Sequence, residues 1–192
     1  MQTAANLASL GIMFKQRINV TQRRGAASLA DLHFGPHRAT CALGAGGVSL
    51  QKTEGDQKTP IGQFELRRLW LRPDRVRLPL TRFPIHYISP KSGWCDDSKS
   101  LFYNRPIELP FAASHEKLWR QDGLYDVFFE LGYNDVRPKP EKGSAIFLHL
   151  QKNNFQPTLG CVAVSWRSLD FILAHADPGC VVTIAASEEA TA

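Results

Sequence analysis

No run of about eighteen apolar residues occurs anywhere in the chain, which excludes a membrane-spanning helix. Cysteine is scarce: Cys41, Cys95, Cys161 and Cys180 stand at least nineteen residues apart. None forms a C-x-x-C pair, so the spacing offers no structural zinc site, and no metal or cofactor is expected. The even count would allow two disulfides, but a chain of this length does not need them. Cys41 and Cys180 lie in strand-like apolar runs and read as core thiols. A positive n-region is also missing. Nothing basic precedes the weakly apolar "ANLASLGIMF", and Lys15 and Arg17 follow it, so no recognisable signal peptide is expected. Repeats, linkers and low-complexity segments are absent, which leaves one domain.

What is present suits that domain. The 192 residues are 43% hydrophobic, enough for one compact core. A formal charge of +5 gives a mildly basic surface suited to an anionic partner, a nucleic acid or an acidic cell-wall polymer, without choosing between them.

Strands and turns dominate the pattern. "FKQRINV", "FELRRLW", "YDVFFEL", "GSAIFLHL" and "CVVTIAA" read as strands. "RATCALGAGGVSLQ" reads as a hairpin about the turn Gly44–Gly47. From Trp70 to Ser100, four prolines prevent long elements. "SHEKLWR" is expected to form a short helix capped by Ser114, and "SWRSLDFILAHA" is the best helix, stopped by Asp177, Pro178 and Gly179. The fold class is therefore mainly β, with a few short helices.

Chemistry concentrates at one place. His149 ends the apolar run "GSAIFLH", and Cys161 opens the next element after an eleven-residue loop. Adjacent antiparallel strands joined by that loop would bring the two side chains together. A thiolate is the reactive form of cysteine, and a nearby imidazole can take the thiol proton. Gly160 lacks a Cβ, so a substrate carbonyl can approach the backbone, where the amides of Gly160 and Cys161 would form an oxyanion site. Taken singly, His149 is a satisfied strand-end histidine and Cys161 a core thiol; their joint spacing reverses both readings. His115 is the rival base, read as a surface residue, and Cys95 lacks a histidine–glycine context.

"HLQKNNFQPTLGCVAVS" resembles the active-site signature of the L,D-transpeptidases, or YkuD-like domains, with His149, Thr158, Gly160 and Cys161 on the pattern. "KTEGDQKTPIGQFEL" is similar to the family's turn around Asp56, Thr59, Pro60, Gly62 and Phe64. "WCDDSKSLFYNRPIELPFAASHEKLWRQDGLYDVFFELGYN" resembles a segment of a compact branch. The likeness spans Ser28 to Ile184. It implies a YkuD-like β-sandwich or mixed sheet at 28–186, with residues 1–27 an N-terminal extension or edge strand and 187–192 a flexible tail.

It also implies peptidoglycan cross-linking in the periplasm or cell envelope. Cys161 would attack the meso-diaminopimelate carbonyl of a donor stem peptide, with His149 as base. D-alanine would leave and an acceptor amine would resolve the thioester, giving a third-to-third or first-to-third link. Carbapenem-type inhibitors are expected to acylate Cys161, and a monomer is expected.

One departure stands out. Many members carry an arginine two residues after the cysteine, where this chain has Ala163. Arg120 and Arg167 are candidate replacements; Arg167 reads as lying on the outer face of its helix, and an ion pair with Asp122 or Asp126 is the alternative role for Arg120. Asp96, with Asp97, is a candidate partner for an ammonium, against an Asx-turn role. Trp94 and Tyr133 are candidate groove aromatics, and the resemblance makes Thr158 a candidate substrate-binding residue. A water acceptor would make the protein an L,D-carboxypeptidase. A basic module binding nucleic acid through "RRLWLRPDRVRLPLTR" is the reading from another class, disfavoured because no recognised motif frames it; a catalytically silent wall-binding protein is a third.

Overall fold

The computed structural model describes residues 15–187. The N-terminal segment considered as a signal peptide lies outside the described residues, as does the tail from residue 188. The chain forms β1 (Arg17–Arg23), β2 (Ala26–Phe34), β3 (His37–Ala42), β4 (Val48–Ser49), β5 (Thr59–Pro60), β6 (Gly62–Leu71) and β7 (Ile85–Tyr87). It continues through β8 (Ser92–Cys95), β9 (Arg105–Glu108), β10 (His115–Lys117), β11 (Val127–Leu131) and β12 (Phe147–Leu150). The remaining elements are β13 (Val162–Val164), α1 (Trp166–His175) and β14 (Val181–Ala185).

The main sheet runs β11-β12-β13-β3-β2-β1-β14-β6-β7, and a further β11–β6 pairing closes eight of its strands into a ring. Closure removes the exposed edges of those strands. β1, expected as an extension or edge strand, has β2 and β14 on either side.

Alternation along each strand sorts side chains between two faces. Ile18 and Val20, Leu32 and Phe34, Val127 and Phe129, Leu148, Val162 and Val164, and Val182 and Ile184 point to one core, mostly aliphatic with a few phenylalanines. Cys41 and Cys180 belong to the same core, buried and free. The alternate residues Phe128, Phe147 and Cys161 face the other way. They join Trp70, Trp94, Leu118 and Tyr125 in a second, aromatic cluster beneath the small sheet β10-β8-β9. In β6 the inward spacing stretches from Leu66 to Leu69 where the register against β11 shifts, a bulge that turns Trp70 outward.

Ser165 caps α1 by accepting the Ser168 amide at 3.2 Å, and Leu169, Ile172 and Leu173 add their stripe to the aliphatic core. Three expectations are corrected. "SHEKLWR" is not a helix: His115–Lys117 pairs with Gly93–Cys95, because the β8 ladder satisfies its backbone where seven residues alone could not hold a stable helix. The arms around Gly44–Gly47 do not pair with each other, since β3 lies between β2 and β13 while β4 pairs with β5. Finally, β12 and β13 are parallel rather than antiparallel, and the eleven-residue loop makes the crossover.

Candidate active site

Parallel pairing still brings the predicted pair together. His149 stands opposite Ala163, and Leu148 opposite Val162. Cys161 is two residues before Ala163, so period-two alternation places Phe147, His149, Cys161 and Ala163 on one face. That face opens into a cavity of about 840 Å³ lined by Cys161, His149, Ala163, Gly160 and Thr158.

The loop delivering the cysteine is clamped on both sides. Thr158 donates its amide to Leu43 O and accepts from the Ala45 amide, each at 2.9 Å. The Thr158 hydroxyl donates to Cys161 O at 2.8 Å and accepts the Gly160 amide at 3.1 Å. Thr158, expected to bind substrate, thus spends its hydroxyl on shaping the turn. Gly160 has φ +144°, and an added Cβ would lie 3.0 Å from Lys58 O and 3.2 Å from Ile146 Cδ1. Of the two amides expected to form an oxyanion site, that of Gly160 is already donated within the turn.

The Cys161 thiol donates to Ala145 O at 3.2 Å and accepts the Phe147 amide at 3.3 Å. Burial pushes it up to about 12; Glu116 adds to the rise, while the Phe147 amide and Lys52 oppose it. His149 is 4% exposed, and burial pushes its imidazole down to about 4. Its Nδ1 lies 2.7 Å from Leu150 O, which fixes the proton on Nδ1 and leaves Nε2 as the acceptor. At rest the thiol and the imidazole are therefore both neutral.

Charge around the cavity is mixed. Asp96 and Glu116 line the cavity, and one Asp96 oxygen is buried without a partner among the described residues. Glu116 accepts the Tyr125 hydroxyl at 2.7 Å, and burial raises its carboxyl. Tyr125 in turn meets the His149 ring edge to face at 5.3 Å. Lys52 and Glu54 also line the cavity. Glu54 accepts hydroxyls from Tyr103 at 2.5 Å and Ser144 at 2.7 Å.

Arg120 lines the cavity with Ala163, while Arg167 is exposed outside it. The Arg120 guanidinium grips Asp122 at 2.9 and 2.6 Å, the ion pair weighed from the sequence, and its Nη1 lies 3.7 Å from Glu116. His115 also reaches the cavity rim, with Nδ1 2.8 Å from Ala113 O.

Trp94 and Tyr133 do not line the cavity. Trp94 is buried and donates Nε1 to Asn104 Oδ1 at 2.9 Å, and the same oxygen accepts the Ala145 amide at 3.0 Å. Asn104 Nδ2 donates to Tyr133 O at 3.1 Å. The Trp94 indole and the Tyr133 carbonyl thus hold Asn104, which fixes the segment before β12 that carries Ala145, the carbonyl partner of the thiol.

Lys52, Glu54, Asn104, Glu116 and Tyr125 escaped the sequence reading. Lys52 and Glu54 lie within the quoted "KTEGDQKTP" block, a signal that could have flagged them; the others depend on long-range pairing. In the basic stretch, Arg67, Arg68, Arg72, Arg75 and Arg82 all pair with carboxylates, which leaves little unspent charge for phosphates.

The family model for the L,D-transpeptidase catalytic domain, YkuD, matches residues 23–184. Comparisons with curated proteins and with solved structures give no match.

Proposed function

The chain belongs to the YkuD family of L,D-transpeptidase catalytic domains, and from that membership we propose that it is a peptidoglycan L,D-transpeptidase with Cys161 as nucleophile. One observation carries the reading: His149 and Cys161 share a face of adjacent parallel strands at one cavity, with His149 Nε2 free to accept a proton.

The carbonyl of meso-diaminopimelate, third in a donor stem, enters over the Gly160–Cys161 turn. Sulfur attacks it while the thiol proton moves to His149 Nε2. The amide C–N bond breaks, and the D-alanine amine leaves with that proton, giving a thioester on Cys161. An amine of an acceptor stem then attacks the thioester and passes its proton to His149. The new amide forms as the thiol is restored. The acceptor is a third-position diaminopimelate or a first-position L-alanine.

The mixed walls suit a zwitterionic stem. Asp96 supplies a carboxylate for an ammonium, as on the diaminopimelate side chain, and Arg120, which lines the cavity with Ala163, supplies a guanidinium for a carboxylate. Such a substrate places the protein in the cell envelope. No helix of the described residues is long and apolar enough to cross a membrane.

The test is incubation of purified protein with muropeptides and mass spectrometry of the products. Cross-linked dimers with released D-alanine are expected. Tripeptide monomers alone would replace transfer by L,D-carboxypeptidase action, and products surviving Cys161→Ser would refute the mechanism.

A further inference from the structure

We propose that Lys52 is a catalytic residue, its ammonium donating a hydrogen bond to the carbonyl oxygen that gains negative charge when Cys161 attacks. The proposal rests on the transpeptidase reading, because it presumes an acyl donor at Cys161.

Lys52 is 4% exposed, yet it lines the cavity. Its Nζ donates to Asp56 Oδ1 at 2.7 Å and to Thr53 O at 3.3 Å, which leaves one of three ammonium hydrogens without an acceptor among the described residues. A Cβ built on Gly160 would lie 3.4 Å from that Nζ, so the ammonium stands over the turn that presents the nucleophile. Of the two backbone amides expected here, that of Gly160 is already given to Thr158 Oγ1.

Keeping a charge out of water with incomplete hydrogen bonding is costly. The cost is accounted for if the missing acceptor is the reacting carbonyl. Asp56 holds the ammonium in place, itself fixed by the amides of Thr53 at 2.8 Å and Lys58 at 2.9 Å. Burial and Glu116 push the Cys161 thiol up, and Lys52 is among the groups that pull it down, so the same cation favours the thiolate that precedes attack.

Atoms balance without any proton from Lys52. As the S–C bond forms, the carbonyl π pair moves to oxygen and the ammonium strengthens its hydrogen bond. The thiol proton travels through His149 to the leaving amine. When the C–N bond breaks, the pair returns from oxygen and the hydrogen bond relaxes. A donor placed in this way typically contributes ~10²–10³ in rate.

The experiment measures acylation of Cys161 by a carbapenem, followed by intact mass, and steady-state transfer on a tetrapeptide donor. Lys52→Met alone would strand the Asp56 carboxylate, so the informative variant is Lys52→Met with Asp56→Asn. With circular dichroism unchanged, its acylation rate and kcat are expected to fall ~100-fold while KM moves less than ~3-fold. Lys52→Arg, which keeps the charge, is expected to retain more activity than the neutral pair. If the pair variant does not fold, Lys52→Gln, assayed below its melting temperature, is held to the same criterion. A folded neutral variant acylating within ~3-fold of the native rate overturns the role of Lys52 and leaves the transpeptidase reading intact. Failure of the native chain to be acylated at all overturns both.

Discussion

Cys41 and Cys161 occupy opposite faces of one closed sheet, and burial alone hardly separates them. Cys41 has no exposure and Cys161 has 7%. Burial raises both thiols to about 12. Cys41, however, sits in an aliphatic core with Ala30 O, 3.7 Å away, as its polar contact. Cys161 faces an aromatic cluster that opens into a cavity holding a histidine, a buried lysine and unpaired carboxylate capacity. The proposed nucleophile is therefore set apart by what shares its face of the sheet and by access, and a raised thiol says only that both are resting as neutral groups.

The largest expected difference follows from removing each thiol. Cys161→Ala should lower transfer by at least ~10⁴-fold with little change in stability. Cys41→Ala should keep the activity while costing about 1 kcal/mol in chemical denaturation, since it opens a small cavity in a packed core. Equal loss of activity in the two variants would break the contrast.

His149→Gln should reduce transfer ~10²–10⁴-fold, the usual range for a general base. It also carries a pH signature. The imidazole is neutral in the folded protein down to about 4 but protonates near 6.5 when unfolded, so the unfolded state binds the extra proton between these values. Stability should fall as pH drops from 6.5 to 4, by about 3 kcal/mol, and this part of the slope should vanish in His149→Gln. Urea titrations across that range make the measurement.

Gly160→Ala sharpens the comparison without touching sulfur. The positive φ and the close Lys58 carbonyl oppose a Cβ, so ~1–3 kcal/mol of stability and ~10²-fold in rate should be lost as the turn shifts. The smallest effect is expected for Arg120→Ala. KM for a donor stem should rise ~10-fold at nearly constant kcat, as for loss of a charged contact. A fall in kcat with KM unchanged would assign Arg120 to the chemistry instead.

How far the sequence disclosed this site depended on the range of the interactions involved. The His149–Gly160–Cys161 set was legible because a strand end, a glycine and a cysteine within one loop are local features. The mainly β class and the helix Trp166–His175 followed from periodicity alone. The parallel pairing of β12 and β13 did not, because an eleven-residue loop permits either direction and the neighbour β3, from far upstream, decides it. "SHEKLWR" suggested a helix because the β8 ladder that claims its backbone is remote in sequence. Trp94 and Tyr133 were assigned to a groove because aromatic residue types alone do not reveal that they brace Asn104 behind the wall. Glu116 and Tyr125 enter the site only through folding of the small sheet over the aromatic face.

The proposed reaction makes Cys161, and no other thiol, the carrier of an acyl group from a stem peptide to an acceptor amine. Its most direct test is mass spectrometry of the protein and its products after incubation with a muropeptide tetrapeptide. A transient adduct on Cys161 accompanied by D-alanine release and cross-linked dimers is the predicted result. Dimers formed equally by Cys161→Ala, or an adduct on Cys41, Cys95 or Cys180 in its place, would contradict it.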